Sequence, residues 1–250
     1  PREVHVVVYV NGDYAGVYAA VESVDKTMLT RLYGGDENGN DGYLYEFSKV
    51  FEWGFTYLGP DLDAYRAFFP PRTHENGSDE TLYRPIETLV RLINEKPSDE
   101  LVAAVGPLLD LSGLVRYVAL QNFVSEIDGF TGRWGTNNFY LYRRAIDGRH
   151  VVVPWDRDNA LQQPDSSIYQ RVNENRLPRQ ALAFSDLHAL FLNQLEACAL
   201  LSADDGWLEH VIANAAALVE VPATADVRKP YSDEEHAAQI DALLTFARLR

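Results

Sequence analysis

Asn11-Gly12, set between the β-branched run Val4 to Val10 and the second run Tyr14 to Val21, constrains this chain more than any other short stretch. A two-residue turn of this type needs positive φ at both central positions, which Asn and Gly tolerate, so the stretch predicts a tight β-hairpin. A second signal of the same kind, Asp147-Gly148, lies between Asn138 to Arg144 and His150 to Val153. Between and after the two hairpins the pattern is helical, with Ile86, Leu89, Val90 and Ile93 at helical spacing in the stretch Tyr83 to Asn94. Helices are also predicted over Asp99 to Leu109, Leu111 to Ile127, Ala183 to Leu201, Gly206 to Val219 and Ser232 to Arg250. A chain with hairpins at its start and middle and helices elsewhere is α+β.

Shorter features complete the plan. A helix from about Asp25 to Leu32 has Ser23 or Asp25 as N-cap and Gly34-Gly35 as terminator. Asp36 to Asp41 reads as a polar loop, and Gly42 to Val50 as a strand with Tyr43, Tyr45 and Phe47 on one face. Trp53 to Asp79 reads as irregular. No window of about 18 apolar residues is present, so no membrane span is expected. The first residues show no signal peptide, and the chain reads as an excised or mature segment. The net charge of −15 argues against a nucleic-acid partner and fits solubility or basic protein substrates. The single cysteine, Cys198, excludes an internal disulfide and is expected as a small buried hydrophobe.

Two polar clusters stand where elements end: Glu126-Ile127-Asp128-Gly129 after an apolar helix, and Pro154-Trp155-Asp156-Arg157-Asp158-Asn159 after the second hairpin. Thr136-Asn137-Asn138 lies between them. Phosphoryl transfer calls for such parts: an Asp to orient the incoming hydroxyl, and amide and carboxylate oxygens to hold Mg²⁺. In ordinary protein kinases the catalytic Asp and the metal Asn have about four residues between them. Here Asn138 follows Asp128 by ten positions, and Asp156 follows Asn138 by eighteen. The order matches and the spacing does not. Each residue also has an ordinary alternative. Asp128-Gly129 reads equally as a turn, Asn138 as a loop closure through its side chain, and Asp156 with Asp158 as a helix cap or a structural Ca²⁺ site.

The segment Val8-Tyr9-Val10-Asn11-Gly12-Asp13-Tyr14-Ala15-Gly16-Val17-Tyr18, running on to Glu22 and Asp25, resembles the CotH kinase family. So do Gly42-Tyr43-Leu44-Tyr45, Asn138-Phe139-Tyr140-Leu141-Tyr142 and Pro154-Trp155-Asp156-Arg157-Asp158. The resemblance runs from about Val6 to Ala160, with weaker echoes in Leu177 to Leu190 and in Phe246-Ala247-Arg248. It implies an atypical protein-kinase-like fold, with a β-rich part over about 1–52 and a helical lobe over about 80–250, the whole making one domain. It implies transfer of the ATP γ-phosphoryl group to Ser or Thr of a protein with Mg²⁺ or Mn²⁺. By that resemblance Asp128 is the catalytic aspartate, Asn138 and Asp156 bind the metal, and Asp158 assists or caps. Glu22-Ser23-Val24 takes the place of a hinge offering backbone groups to adenine. A kinase also needs a lysine on the phosphates, and Lys49 is the nearest internal candidate, although an exposed strand-end lysine is its plainer reading. The usual strand lysine and its glutamate partner precede such a hairpin, so they are expected upstream of Pro1. Relatives of this kind are surface or coat components, which implies an extracytoplasmic setting and a coat or surface protein as acceptor. Two other functions remain open at this point. One is a catalytically silent structural or binding module, and the other is a metal-dependent hydrolase built on Asp156 and Asp158.

Overall fold

The computed structural model describes residues 1–35, 40–203 and 206–250. Strands β1 (Glu3–Val10) and β2 (Asp13–Val21) form the expected hairpin, with Asn11 at φ 54° and Gly12 at φ 88°. Their antiparallel register runs from Glu3 opposite Val21 to Val10 opposite Asp13, with an irregularity between Val8 and Tyr9. The chain leaves β2 into helix α1 (Lys26–Tyr33). Of the two candidate caps, the Asp25 carboxylate is the one that accepts, from the Thr27 and Met28 amides, and Gly34 at φ 88° ends the helix. The polar loop expected from Asp36 to Asp41 lies mostly outside the described residues.

Strand β3 (Tyr43–Glu46) does not join the first hairpin. It pairs antiparallel with β4 (Phe139–Arg143), and β4 pairs with β5 (His150–Pro154), giving the order β3-β4-β5. The expected β-rich part over 1–52 is therefore shared between two sheets. The reason lies in the side chains of β3. Leu44 packs on one face of the sheet with Tyr140, Tyr142, Val151 and Val153 against Met28 and Leu29 of α1. Tyr45 points the other way, with Phe139 and Leu141, into the main core. A strand covered on both faces this way needs partners that the first hairpin lacks. The strand also stops four residues short of Val50, because the Ser48 amide turns to the Phe68 carbonyl at 2.8 Å.

The irregular stretch after Trp53 holds only the short turns α2 (Asp63–Arg66) and α3 (Asp79–Leu82). It nevertheless supplies much of the core. Trp53, Phe55, Phe68 and Phe69 are buried against Phe47, whose ring lies 4.5 Å from that of Phe139. The helices then follow as α4 (Arg84–Glu95), α5 (Ser98–Val105), α6 (Leu111–Phe123), α7 (Arg176–Leu182), α8 (Ser185–Ala203), α9 (Trp207–Ala225) and α10 (Asp233–Leu249). The α4 positions read from spacing, Ile86, Leu89, Val90 and Ile93, are all buried. Helix α7 has no counterpart among the expected helices. Helix α6 ends at Phe123 rather than Ile127, because Ser125 adopts φ 51° and turns the chain. Cys198 is half-buried at the margin of the core rather than inside it.

The β4–β5 connection is longer than the two-residue turn that Asp147-Gly148 suggested. Arg144 and Arg149 close it through the Arg144 amide and the Arg149 carbonyl, 2.9 Å apart, and the Asp147 carboxylate caps the Arg149 amide. No helix among the described residues is long and apolar enough to cross a membrane. The architecture is α+β.

Candidate functional site

The site is built where α6 ends, where β4 begins and where β5 stops. After Ser125 the chain runs through Glu126, buried beneath the site, to Asp128. The Asp128 carboxylate accepts two amides: Asn137 Nδ2 to Oδ1 at 3.1 Å and Asn138 Nδ2 to Oδ2 at 3.0 Å. Asn138 Nδ2 also donates to the Asp128 carbonyl at 2.9 Å. Both side-chain bonds of Asn138 thus use its nitrogen, leaving the amide oxygen, Oδ1, as the atom available to a cation. The Asn138 backbone is left-handed, φ 54°, a conformation Asn tolerates better than most residues.

The same Asn138 ties Asp128 to the segment after β5. Its carbonyl accepts the Trp155 amide at 3.2 Å and Arg157 Nη2 at 3.1 Å. Arg157 also donates to the Tyr117 hydroxyl, and its guanidinium lies over that ring at 5.1 Å. A β-carbon at Gly129 would overlap Arg157 and Gln121, so glycine there is what lets the guanidinium reach under the loop. Asp156, at φ 50°, is exposed beside this cluster. Partial burial raises its pKa, and the negative charges of Asp158 and Asp128 add to the rise while Arg157 opposes it. Three carboxylates therefore share one electrostatic neighbourhood. Asp158 accepts from Asn159 Nδ2 at 2.6 Å.

Asp156, Arg157 and Asp158 form one wall of a cleft of about 550 Å³, together with Pro154 and Trp155. The opposite wall comes from the first hairpin, with Arg2, Glu3, Ala19 and Val21. The segment that follows β2 is held at its start. Glu22 receives Arg31 Nε at 2.8 Å and the Arg2 amide at 3.0 Å, and the Arg31 bond leads in holding its carboxyl down at about 2. The Glu22 amide is already bound to the Arg2 carbonyl at 2.8 Å. Of the three candidate hinge residues, Glu22 is thus engaged. The Val24 side chain is buried in the cluster under α1, and Ser23 is exposed.

Asp128, Asn138 and Asp156, read from widely spaced motifs, are brought into one connected cluster. Asp158 stands beside them. Lys49 does not join this group. It is exposed, donates to the Trp134 carbonyl, and is absent from the cleft walls. Among the described residues no group of three His, Cys, Asp or Glu side chains is arranged to hold a metal by itself. Glu126, Asn137 and Arg157 fall in the polar stretches named from the sequence but have no role assigned there, and Tyr117 is not named. Asn137 had a visible signal in its adjacency to Asn138. Tyr117 and Arg157 act through contacts between segments distant in sequence, whereas Glu126 reaches the Asp128 amide two residues on.

The family model described as CotH kinase protein matches residues 1–198. The chain belongs to the CotH kinase family. Every residue of this CotH kinase family member discussed above as part of the site or the cleft falls inside the matched segment, while α9 and α10 lie beyond it. Inner spore coat protein H of Bacillus subtilis (strain 168) is 25% identical over 166 residues, which are 63% of this chain and 41% of that protein. The chain thus spans less than half the length of this curated relative.

Proposed function

We propose that the chain is an atypical protein kinase that moves the γ-phosphoryl group of ATP to a Ser or Thr hydroxyl of a protein, with Mg²⁺ or Mn²⁺. The observation that carries this reading is the position of Asn138. Its side chain bonds Asp128 while its backbone carbonyl binds the peptide of Trp155, next to Asp156. Three residues separated in sequence are thereby linked in one cluster, of which Asp156 lines the cleft, and this reading gives them the roles the reaction requires.

In this reading Asp128 accepts and orients the acceptor hydroxyl, with the amides of Asn137 and Asn138 fixing its carboxylate plane. Asn138 Oδ1 and Asp156 are two hard oxygen ligands, as Mg²⁺ prefers, and Asp158 stands by as a third. Two or three protein ligands suit a site whose remaining positions belong to nucleotide phosphates and water. A bound cation would offset the phosphate charge, and it would favour the charged Asp156 that burial and then the Asp158 and Asp128 charges disfavour. Adenine is read as lying past the end of β2, where Ser23 and Val24 make no backbone–backbone hydrogen bonds among the described residues. Arg2 and Arg157 are the cations lining the cleft, and they take the place in which Lys49 was considered. We read the setting as coat-associated, and the acceptor as a coat protein, from the name of the Bacillus relative.

A silent structural module is the second reading, and the distance of Lys49 from the cleft is the observation in its favour. The deciding experiment incubates the protein with γ-labelled ATP, Mg²⁺ or Mn²⁺, and a basic acceptor protein. Label on protein supports the kinase. Label released only as free phosphate favours a hydrolase, and no turnover favours the silent module.

A further inference from the structure

Glu126 is a buried carboxyl to which the proposed transfer assigns no role. Its side chain is fully shielded from solvent. Oε1 accepts the Asp128 amide at 2.9 Å, while Oε2 is buried with no hydrogen-bond partner among the described residues. Burying a carboxyl with one oxygen unsatisfied is costly, and such groups persist in folded proteins where something else depends on them. Burial indeed pushes its pKa up, against the opposing pull of the Asp128 amide and Arg157.

What depends on Glu126 is the peptide that carries Asp128. Beyond Ser125 each step of the chain is pinned: the Glu126 amide to the Gln121 carbonyl at 3.1 Å, and the Ile127 amide to the Asn159 carbonyl at 3.3 Å. Gln170 Nε2 holds the Glu126 carbonyl at 3.0 Å. At Asp128 the backbone donor is met by no carbonyl, and the Glu126 side chain takes it instead. The carboxylate of Asp128 is fixed by Asn137 and Asn138, and its amide by Glu126, so the residue is clamped at both ends.

We propose that Glu126 is a positioning residue, whose Oε1 sets the Asp128 peptide so that the Asp128 carboxylate meets the acceptor hydroxyl. This deepens the kinase reading and rests on it. A reacting group displaced by about 1 Å costs on the order of 100-fold in rate, so a clamp of this kind has a measurable consequence.

Glu126→Gln and Glu126→Leu separate the acceptor oxygen from mere filling of space. Gln keeps an oxygen for the Asp128 amide, whereas Leu fills the volume and offers none. In Glu126→Leu, hydrogen exchange at the Asp128 amide should rise at least about tenfold, and kcat should fall about 10- to 100-fold at unchanged KM for ATP. Glu126→Gln should stay within about threefold of the parent in both. Parent-like exchange in Glu126→Leu overturns the proposal, as does a Gln variant as impaired as the Leu variant. If Glu126→Leu does not fold, Glu126→Met replaces it, and the Gln variant still decides. Exchange is read without ATP. A protein that exchanges as expected yet transfers no phosphate retires the kinase reading and leaves the clamp. One that transfers phosphate while Leu leaves exchange unchanged retires the clamp and leaves the kinase.

Discussion

Asp156 occupies a backbone conformation that most side chains avoid, with φ 50°, and Asn tolerates that region as Asp does. Asp156→Asn therefore removes a charge without adding backbone strain. Phosphotransfer should fall by more than about 100-fold, the scale on which a preorganised electrostatic group contributes, while stability moves by less than about 0.5 kcal/mol. Initial rates at saturating Mg²⁺ and a denaturant titration check both halves, and retained rates would remove Asp156 from the metal site. His150 makes a different point at the same scale. It is buried, its Nδ1 donates to the Leu108 carbonyl at 2.9 Å, and its Nε2 has no partner. Burial lowers its pKa from 6.5 to about 4. The unfolded chain thus binds this proton more readily than the folded one. The contribution of His150 is fully present above pH 6.5 and is lost as pH falls toward 4, up to about 3 kcal/mol in all. His150→Asn keeps a donor for Leu108 and does not titrate. Denaturation midpoints at pH 7.5 and 4.5 should show the parent losing more stability than this variant, and equal losses would contradict a neutral buried ring.

Beyond its own pairing, the first hairpin packs chiefly on α9. Val4, Val7, Tyr9 and Val10 on β1 are exposed, and a two-stranded hairpin is marginal alone. Its anchor is α9: Tyr14 donates to the Pro222 carbonyl, and Gly16 packs on the Asp226 carboxylate just past the helix end. Gly16 adopts φ 129°, and a β-carbon there would overlap Asp226. Gly16→Ala should weaken the docking of the hairpin by about 1–3 kcal/mol. The expected signature is faster hydrogen exchange across 3–21 with the β4 and β5 amides unchanged. Uniform loosening of both sheets would mean that the hairpin and the core unfold as one unit. Because the hairpin forms one wall of the cleft, its attachment to α9 also sets where that wall stands.

At the scale of the whole molecule, α10 returns the chain to the site. Arg250 donates to four carbonyls: Phe123 at 2.8 Å, Asn122 at 2.7 Å, Pro164 at 3.0 Å and Ser166 at 2.7 Å. The first two lie at the end of α6, directly before the turn into Glu126 and Asp128. The other two lie in the segment after Asp158. One guanidinium thus fastens both approaches to the cleft, from a helix outside the family match. Charged hydrogen bonds contribute more than neutral ones, so Arg250→Ala should cost at least about 2 kcal/mol. For a chain of 250 residues that lowers the Tm by roughly 4–8 °C. A thermal scan of the variant tests it, and a shift below about 1 °C would reduce Arg250 to a surface contact.

The local chemistry of the chain was enough for its first hairpin, its principal helices and its motif residues. Asn11-Gly12 can adopt positive φ, Asp25 can cap, and the apolar spacing of α4 closes on one face, all within a few residues. The α+β class follows from information of that range, whereas the roles given to Asp128, Asn138 and Asp156 came from the resemblance to the CotH kinase family. Contacts between distant segments decided the rest. Strand β3 pairs with β4 rather than with the first hairpin, where α1 covers one of its faces and the main core the other. Lys49 fell away from the cleft because the chain turned at Ser48 into an aromatic layer. Arg157 and Arg250 became supports of the site by bonding to peptides far away in sequence, and Glu126 took the nearby Asp128 amide only because packing buries its side chain there. Burial and hydrogen-bond satisfaction belong to the packed chain as a whole, and a residue's neighbours in sequence do not specify them.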